Sequence, residues 1–178
     1  MDAAADTATP TNLLGLPRPE LEAFVGALGN KPFRARQLMS WMYKRGEGSF
    51  AAMTDLAREF RAQLGEVAEV RTPEVLRAMD SADGTRKWLL RADGSQAFEM
   101  VFIPETDRGT LCISSQVGCA LDCAFCSTAQ QGFNRNLSTA EIVGQVWLAN
   151  RELGLDAEGH RRVTNVVLMG MGEPLYNF

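Results

Sequence analysis

Cys119-Ala120-Leu121-Asp122-Cys123-Ala124-Phe125-Cys126 holds three of the four cysteines of this 178-residue chain, spaced C-x3-C-x2-C. Two thiols three positions apart can face one centre across a tight turn, and the third, four positions upstream, completes a tripod. Thiolates are soft donors, which suits an iron–sulfur cluster or zinc. Three ligands are one fewer than either site needs to close. One metal position therefore stays open, and open positions are where metal chemistry occurs.

Other uses of the cysteines are less well matched. A disulfide framework is not expected, because no secretory segment is read and the cysteines are crowded rather than dispersed. Structural zinc could take the lone His160 as a fourth ligand. His160 lies in the polar stretch Ala157–Arg162, beside two arginines, and is expected to be solvated. Composition is ordinary for a soluble globular protein, with 46% hydrophobic and 22% charged residues. No apolar run reaches a membrane span. Reduced cysteines imply a cytoplasmic location. The net charge of −4 means that a nucleic acid would have to be met by a local patch.

Outward from the cysteines, Thr110–Ser115 reads as a strand that leads into them. Leu111 and Ile113 share one face, and Thr110, Cys112 and Ser114 share the other, facing a cavity. A small core cysteine is the competing reading of Cys112. Upstream, Val75–Met79, Arg86–Arg91 and Ala97–Ile103 read as a meander with turns at Asp83-Gly84 and Asp93-Gly94. Glu99 on the last of these reads, by itself, as a solvated carboxylate. Downstream, Ser138-Thr-Ala-Glu141 is a capping box opening a helix with Ile142, Val146, Trp147 and Leu153 as its apolar stripe, and Gly154 ends it. Val163–Met169 reads as a strand buried on both faces. It ends in Gly170-Met-Gly-Glu-Pro174, whose glycines would admit a ligand and whose Glu173 could hold an ammonium group, although a plain turn uses the same residues.

The first 70 residues differ in kind. Residues 1–14, opening with the small polar run Met1–Asn12, are expected to be disordered. Helices are expected over Pro19–Leu28, Phe33–Lys44 and Met53–Leu64. Between Lys31 and Arg45 there are five cations, no carboxylate, and the aromatics Phe33, Trp41 and Tyr43, a mixture that suits RNA. The helical spacing of Leu38, Trp41, Met42 and Arg45 assigns Trp41 and Met42 to a core instead.

The cysteine octet resembles the radical S-adenosylmethionine (SAM) signature. Thr110–Cys119, Cys126–Leu137 and Asn165–Pro174 extend the likeness to the dual-specificity 23S rRNA and tRNA adenine-C2 methyltransferase family. The resemblance implies an α/β fold: a partial radical-SAM (β/α) barrel over 105–178, preceded by a helical RNA-binding domain (15–70) and a β-meander (71–104), with the C-terminal half of the barrel missing. It implies that Cys119, Cys123 and Cys126 hold a [4Fe-4S] cluster and that Gly172 and Glu173 bind SAM. Glu99 falls on the family's proton acceptor. Cys112 falls on its second catalytic cysteine, which releases product as a disulfide bond with a methyl-carrying cysteine. The implied partners are 23S rRNA, tRNA and an electron donor such as a flavodoxin system, with no membrane and a monomeric protein. No cysteine follows Cys126, so this chain is expected to be a truncated, inactive N-terminal half. The alternatives are the relative that methylates adenine C8 and a zinc-stabilised RNA-binding module.

Overall fold

The computed structural model describes residues 9–177. Most of the run expected to be disordered, residues 1–8, lies outside the described residues. The chain divides into two compact units, 1–71 and 72–178.

The first unit is helical. α1 (Arg18–Ala27), α2 (Phe33–Met39) and α3 (Arg58–Val67) surround a core of Leu21, Val25, Ala35, Leu38, Met42, Met53, Phe60 and Leu64. Residues 11–14 are ordered, against expectation. Thr11–Asn12 (β1) pairs in parallel with Ala68–Glu69 (β2), and Leu13 and Leu14 are buried. Two adjacent leucines supply enough apolar area to dock the segment. The Asn12 side chain then holds it, donating to the Arg71 carbonyl at 2.7 Å and accepting the Arg71 N–H at 3.2 Å.

The expected Phe33–Lys44 helix keeps its extent but changes type in its last turn, and the boundaries of the third helix differ. α2 is followed by a π-helical turn over Ser40–Lys44, closed by the Arg45 N–H on the Ser40 carbonyl. α3 begins at Arg58 rather than Met53 and runs through Gly65 to Val67. Met53 and Leu56 are buried in the turn before it. Burial of Leu64 and Ala68 on either side of Gly65 offsets the cost of a mid-helix glycine, about 1 kcal/mol.

The second unit is α/β. β3 (Glu74–Asp80), β4 (Arg86–Arg91), β5 (Ala97–Pro104) and β6 (Gly109–Cys112) form an antiparallel run, and β9 (Asn165–Val167) joins the β6 edge in parallel. The segment expected as a separate meander therefore shares one sheet with the strands that follow it. β7 (Gln116–Gly118) pairs with β8 (Phe133–Asn136) in a second ribbon. α4 (Thr139–Leu153) carries the expected capping box and ends at Gly154, whose φ of +67° favours glycine.

The core lies on one face of the large sheet. Trp88, Leu90, Phe98, Met100, Phe102 and Leu111 cluster with Leu148 and Ala149 of α4, and Ile142, Val146 and Leu153 pack at its margin. β9 departs from the expected pattern. It is three residues long, and Val166 and Leu168 are 46% and 44% exposed rather than buried. As the last strand of the sheet it has no neighbour beyond it among the described residues. No described helix is long and apolar enough to cross a membrane.

Candidate active site

Register places Glu99 and Cys112 on the same face. In β5, Phe98, Met100 and Phe102 are buried in the core, so Glu99 and Val101 point the other way. Val101 pairs with Cys112, and Cys112 pairs with Val167, so the Cys112 side chain lies on that second face as well. Lys87, opposite Val101 in β4, joins the group and binds Glu99 Oε1 through Nζ at 2.7 Å. Burial pushes the Cys112 thiol up, and a hydrogen bond from the Met169 backbone only partly offsets this.

Ser114 does not continue the alternation. β6 stops at Cys112, and Ser114 is fully buried. Its hydroxyl donates to the Glu99 carbonyl at 2.6 Å and accepts the Met171 N–H at 2.8 Å. The Gln145 amide of α4 grips its backbone from both sides, accepting the N–H and donating to the carbonyl, each at 2.9 Å. A buried polar group is tolerable only when paired in this way.

The Gly170–Pro174 loop is laid directly over residues 113–116. Gly170 N–H donates to the Ile113 carbonyl, and Ser115 N–H and Gln116 N–H both donate to Met171. A Cβ at Gly170 would lie 2.6 Å from the Ile113 oxygen, and one at Gly172 (φ +97°) 2.5 Å from the Gln116 Cβ. Both positions therefore require glycine. Glu173 follows at the C-terminal side of β9, partly buried, with Oε1 accepting the Leu175 N–H at 3.1 Å. Ser115 carries a buried hydroxyl with no partner among the described residues, a group that a polar ligand could satisfy.

The cysteine loop is joined to this assembly at its start. Cys119 N–H donates to the Gly132 carbonyl at 3.2 Å, and Ala120 N–H to Gln116 Oε1 at 3.2 Å. Within the loop, Leu121 N–H points at Cys119 Sγ, and Cys126 N–H closes on the Cys123 carbonyl. The backbone N–H groups of Ala129 and then Thr128 lower the Cys126 pKa. N–H donors aimed at sulfur favour the thiolate, the form that ligates metal. By donor chemistry the loop fits a soft cluster. By geometry it does not assemble the expected tripod, since no group of three His, Cys, Asp or Glu side chains converges among the described residues. All four cysteines are free thiols, so none of them forms a disulfide bond. His160 is exposed and tied into its own loop by Asp156, which accepts its backbone N–H at 2.7 Å.

Gln116, Gln145 and Lys87 are absent from the sequence-based expectations, whereas Ser114, expected on the Cys112 face, is buried instead. The polar run Ser114-Ser115-Gln116 directly after apolar strand residues was the available signal, because polar groups so placed must find partners when buried.

Residues 11–70 match the family model described as the ribosomal RNA large subunit methyltransferase N-terminal domain. Over 171 residues the chain is 55% identical to the dual-specificity RNA methyltransferase RlmN of Marinobacter nauticus, covering 96% of this chain and 46% of that protein. Over 166 residues it is 59% identical to the corresponding protein of Alkalilimnicola ehrlichii, covering 93% and 45%. The chain is a homologue of these methyltransferases. A crystal structure of a radical SAM methyltransferase from Sphaerobacter thermophilus matches with a TM-score of 0.82 at 40% identity, over 95% of this chain and 49% of that one. The chain thus spans just under half the length of the dual-specificity RNA methyltransferases that it matches.

Proposed function

We propose that this chain is the N-terminal part of a radical SAM RNA methyltransferase acting on adenine C2 in 23S rRNA and tRNA. The observation that carries the reading is the shared face of Glu99 and Cys112, on the sheet whose strand ends lead into the cysteine loop and the Gly170–Pro174 loop. Adenine C2 is an electron-poor aromatic carbon and does not attack a methyl donor by a polar route, so a radical route is required. Cys119, Cys123 and Cys126 would hold a [4Fe-4S] cluster, which when bound supplies the electron that cleaves SAM.

The chain's own residues have separate tasks in this reading. Gly172, whose lack of a side chain lets the loop close on Gln116, sets the backbone that meets the amino end of SAM, and Glu173 holds its ammonium group with the carboxylate oxygen that Leu175 leaves unused. Glu99 accepts the C2 proton. Lys87 Nζ, 2.7 Å from Oε1, orients that carboxylate on the shared face. Cys112, half-buried and favouring the thiol at rest, forms the disulfide that frees the product. Its partner is the methyl-carrying cysteine, and no fifth cysteine exists in residues 1–178. This chain alone is therefore expected not to methylate RNA.

The first unit would grip RNA. Lys31 and Arg36 are exposed on the α2 side, whereas Arg34 bonds Gln37 and the Asp55 carbonyl. Trp41 is half-buried, donates to Asp55 at 2.5 Å and lies 3.9 Å beneath the Arg45 guanidinium, which supports its core reading over base stacking. A flavodoxin-type donor, a cytoplasmic location and a monomeric state belong to the same proposal.

Anaerobic reconstitution with iron and sulfide, followed by EPR of the reduced protein with and without SAM, tests it. A [4Fe-4S] signal perturbed by SAM is expected. Retained zinc with no cluster would sink it. For the longer protein, mass spectrometry of modified RNA separates C2- from C8-methyladenosine.

A further inference from the structure

Gln116 is fully buried, and both polar atoms of its side chain bond to other segments of the chain. Its Oε1 accepts two backbone N–H groups, Ala120 at 3.2 Å and Glu173 at 3.1 Å. Its Nε2 donates to Asn136 Oδ1 of β8 at 2.9 Å. Its own backbone N–H reaches the Met171 carbonyl at 3.1 Å. The Gly172 backbone lies so close over it that a Cβ there would collide with the Gln116 Cβ and backbone nitrogen.

One amide oxygen thus ties the residue that follows Cys119 to the residue that ends the glycine loop. An acceptor with two lone pairs can hold two donors at once, and both bonds strengthen in a buried setting. Leu has nearly the same shape and could make none of these bonds. One hydrogen bond at the start of the cysteine loop and the one on the Glu173 N–H therefore share a single side chain.

We propose that Gln116 is a positioning residue that sets the spacing between the cysteine loop and the Gly170–Glu173 loop before either ligand binds. What those loops carry rests on the proposed function; the tie between them does not. Removing the tie leaves each ligand a loop of its own and separates cluster loading from SAM recognition.

The test compares Gln116→Leu and Gln116→Glu with the wild-type 178-residue chain. Glu keeps the twice-accepting oxygen but exchanges the donor to Asn136 for a second acceptor and brings a buried carboxyl group, so it isolates the role of that oxygen at a stability cost of its own. Amide hydrogen exchange is read by NMR at Ala120 and Glu173. In Gln116→Leu both amides are expected to exchange about tenfold faster together, while the β4–β5 ladder is unchanged. In Gln116→Glu both stay protected. After reconstitution with iron and sulfide, the SAM perturbation of the EPR signal is expected in wild type and Gln116→Glu and lost in Gln116→Leu.

Loss of protection at one amide only, or equally across residues 72–177, overturns the proposal. So does a Gln116→Leu protein with an undiminished SAM perturbation. A wild-type chain that forms no cluster refutes the proposed function instead, and the exchange measurement, which needs neither ligand, still decides the role of Gln116.

Discussion

Glu99 and Cys112 sit on strands with a hydrogen-bonded neighbour on each side, whereas Cys119, Cys123 and Cys126 sit on a loop tied down mainly at its start. The sheet residues are placed by ladder register and by the core behind them, with Phe98, Met100 and Leu111 buried on the opposite face. The loop residues are placed by a few local bonds, and Phe125 between them is 93% exposed. The difference teaches where preorganisation comes from in this molecule. Glu99 and Cys112 are set in place by the sheet, while the three loop cysteines are held by a few bonds of their own segment.

The contrast is most severely tested at the core. Phe98→Ala is expected to destabilise the second unit by about 3–5 kcal/mol, measured by urea denaturation, and to displace Glu99 with it. A cost below about 1 kcal/mol would mean that the sheet does not hold its site through packing.

Glu141 sharpens the comparison, because it ties a loop as firmly as a ladder does. It bonds both Arg135 nitrogens (2.8 and 2.7 Å) and the Asp93 and Ser138 N–H groups. Burial alone would raise its pKa. The Arg135 hydrogen bonds, those backbone donors and the Arg135 charge outweigh that and hold it at about 2, against an ordinary 4.5. A depressed carboxyl stabilises the fold above its unfolded-state pKa and ceases to do so as pH falls through the folded one. Glu141→Gln is thus expected to cost up to about 3 kcal/mol at pH 7. The difference from wild type should shrink below pH 4.5 and be gone near pH 2. A pH-independent difference would show that the charge is not what matters.

Two smaller effects concern the cysteines themselves. Cys126, lowered by backbone donors, should react with iodoacetamide about tenfold faster than Cys112, which burial raises; peptide mass spectrometry at pH 7.5 reads the order. Replacing Cys119, Cys123 and Cys126 together by Ser should change the stability of the metal-free chain by no more than about 0.5 kcal/mol. A larger loss would mean that the loop is ordered without metal.

Patterns of short range were legible in the chain itself. The turns at Asp83-Gly84 and Asp93-Gly94, the β4 boundaries and the α4 capping box were all readable, because hairpin turns and caps are decided by a few adjacent residues. The C-x3-C-x2-C spacing and the glycine loop were readable for the same reason. Less legible were features set by distant partners. Leu13 joins a core that is gathered from Leu21 through to Ala68, and α3 starts late because Met53 and Leu56 are drawn into that core. β9 looked like a strand buried on both faces by hydrophobicity, yet its exposure depends on what neighbours it, which no local pattern states.

By itself, then, the sequence determined which residues can do chemistry: four thiols, the carboxylates Glu99 and Glu173, and glycines where a backbone must pass close. Only the tertiary structure decided which of them meet. The register of β5 against β6 turned Glu99 and Cys112 to one face, and Lys87 arrived there from β4. Ser114 and Gln116, unremarkable as letters, became the joints of the site because burial forced every polar atom they carry to find a partner, and the partners available were the loops.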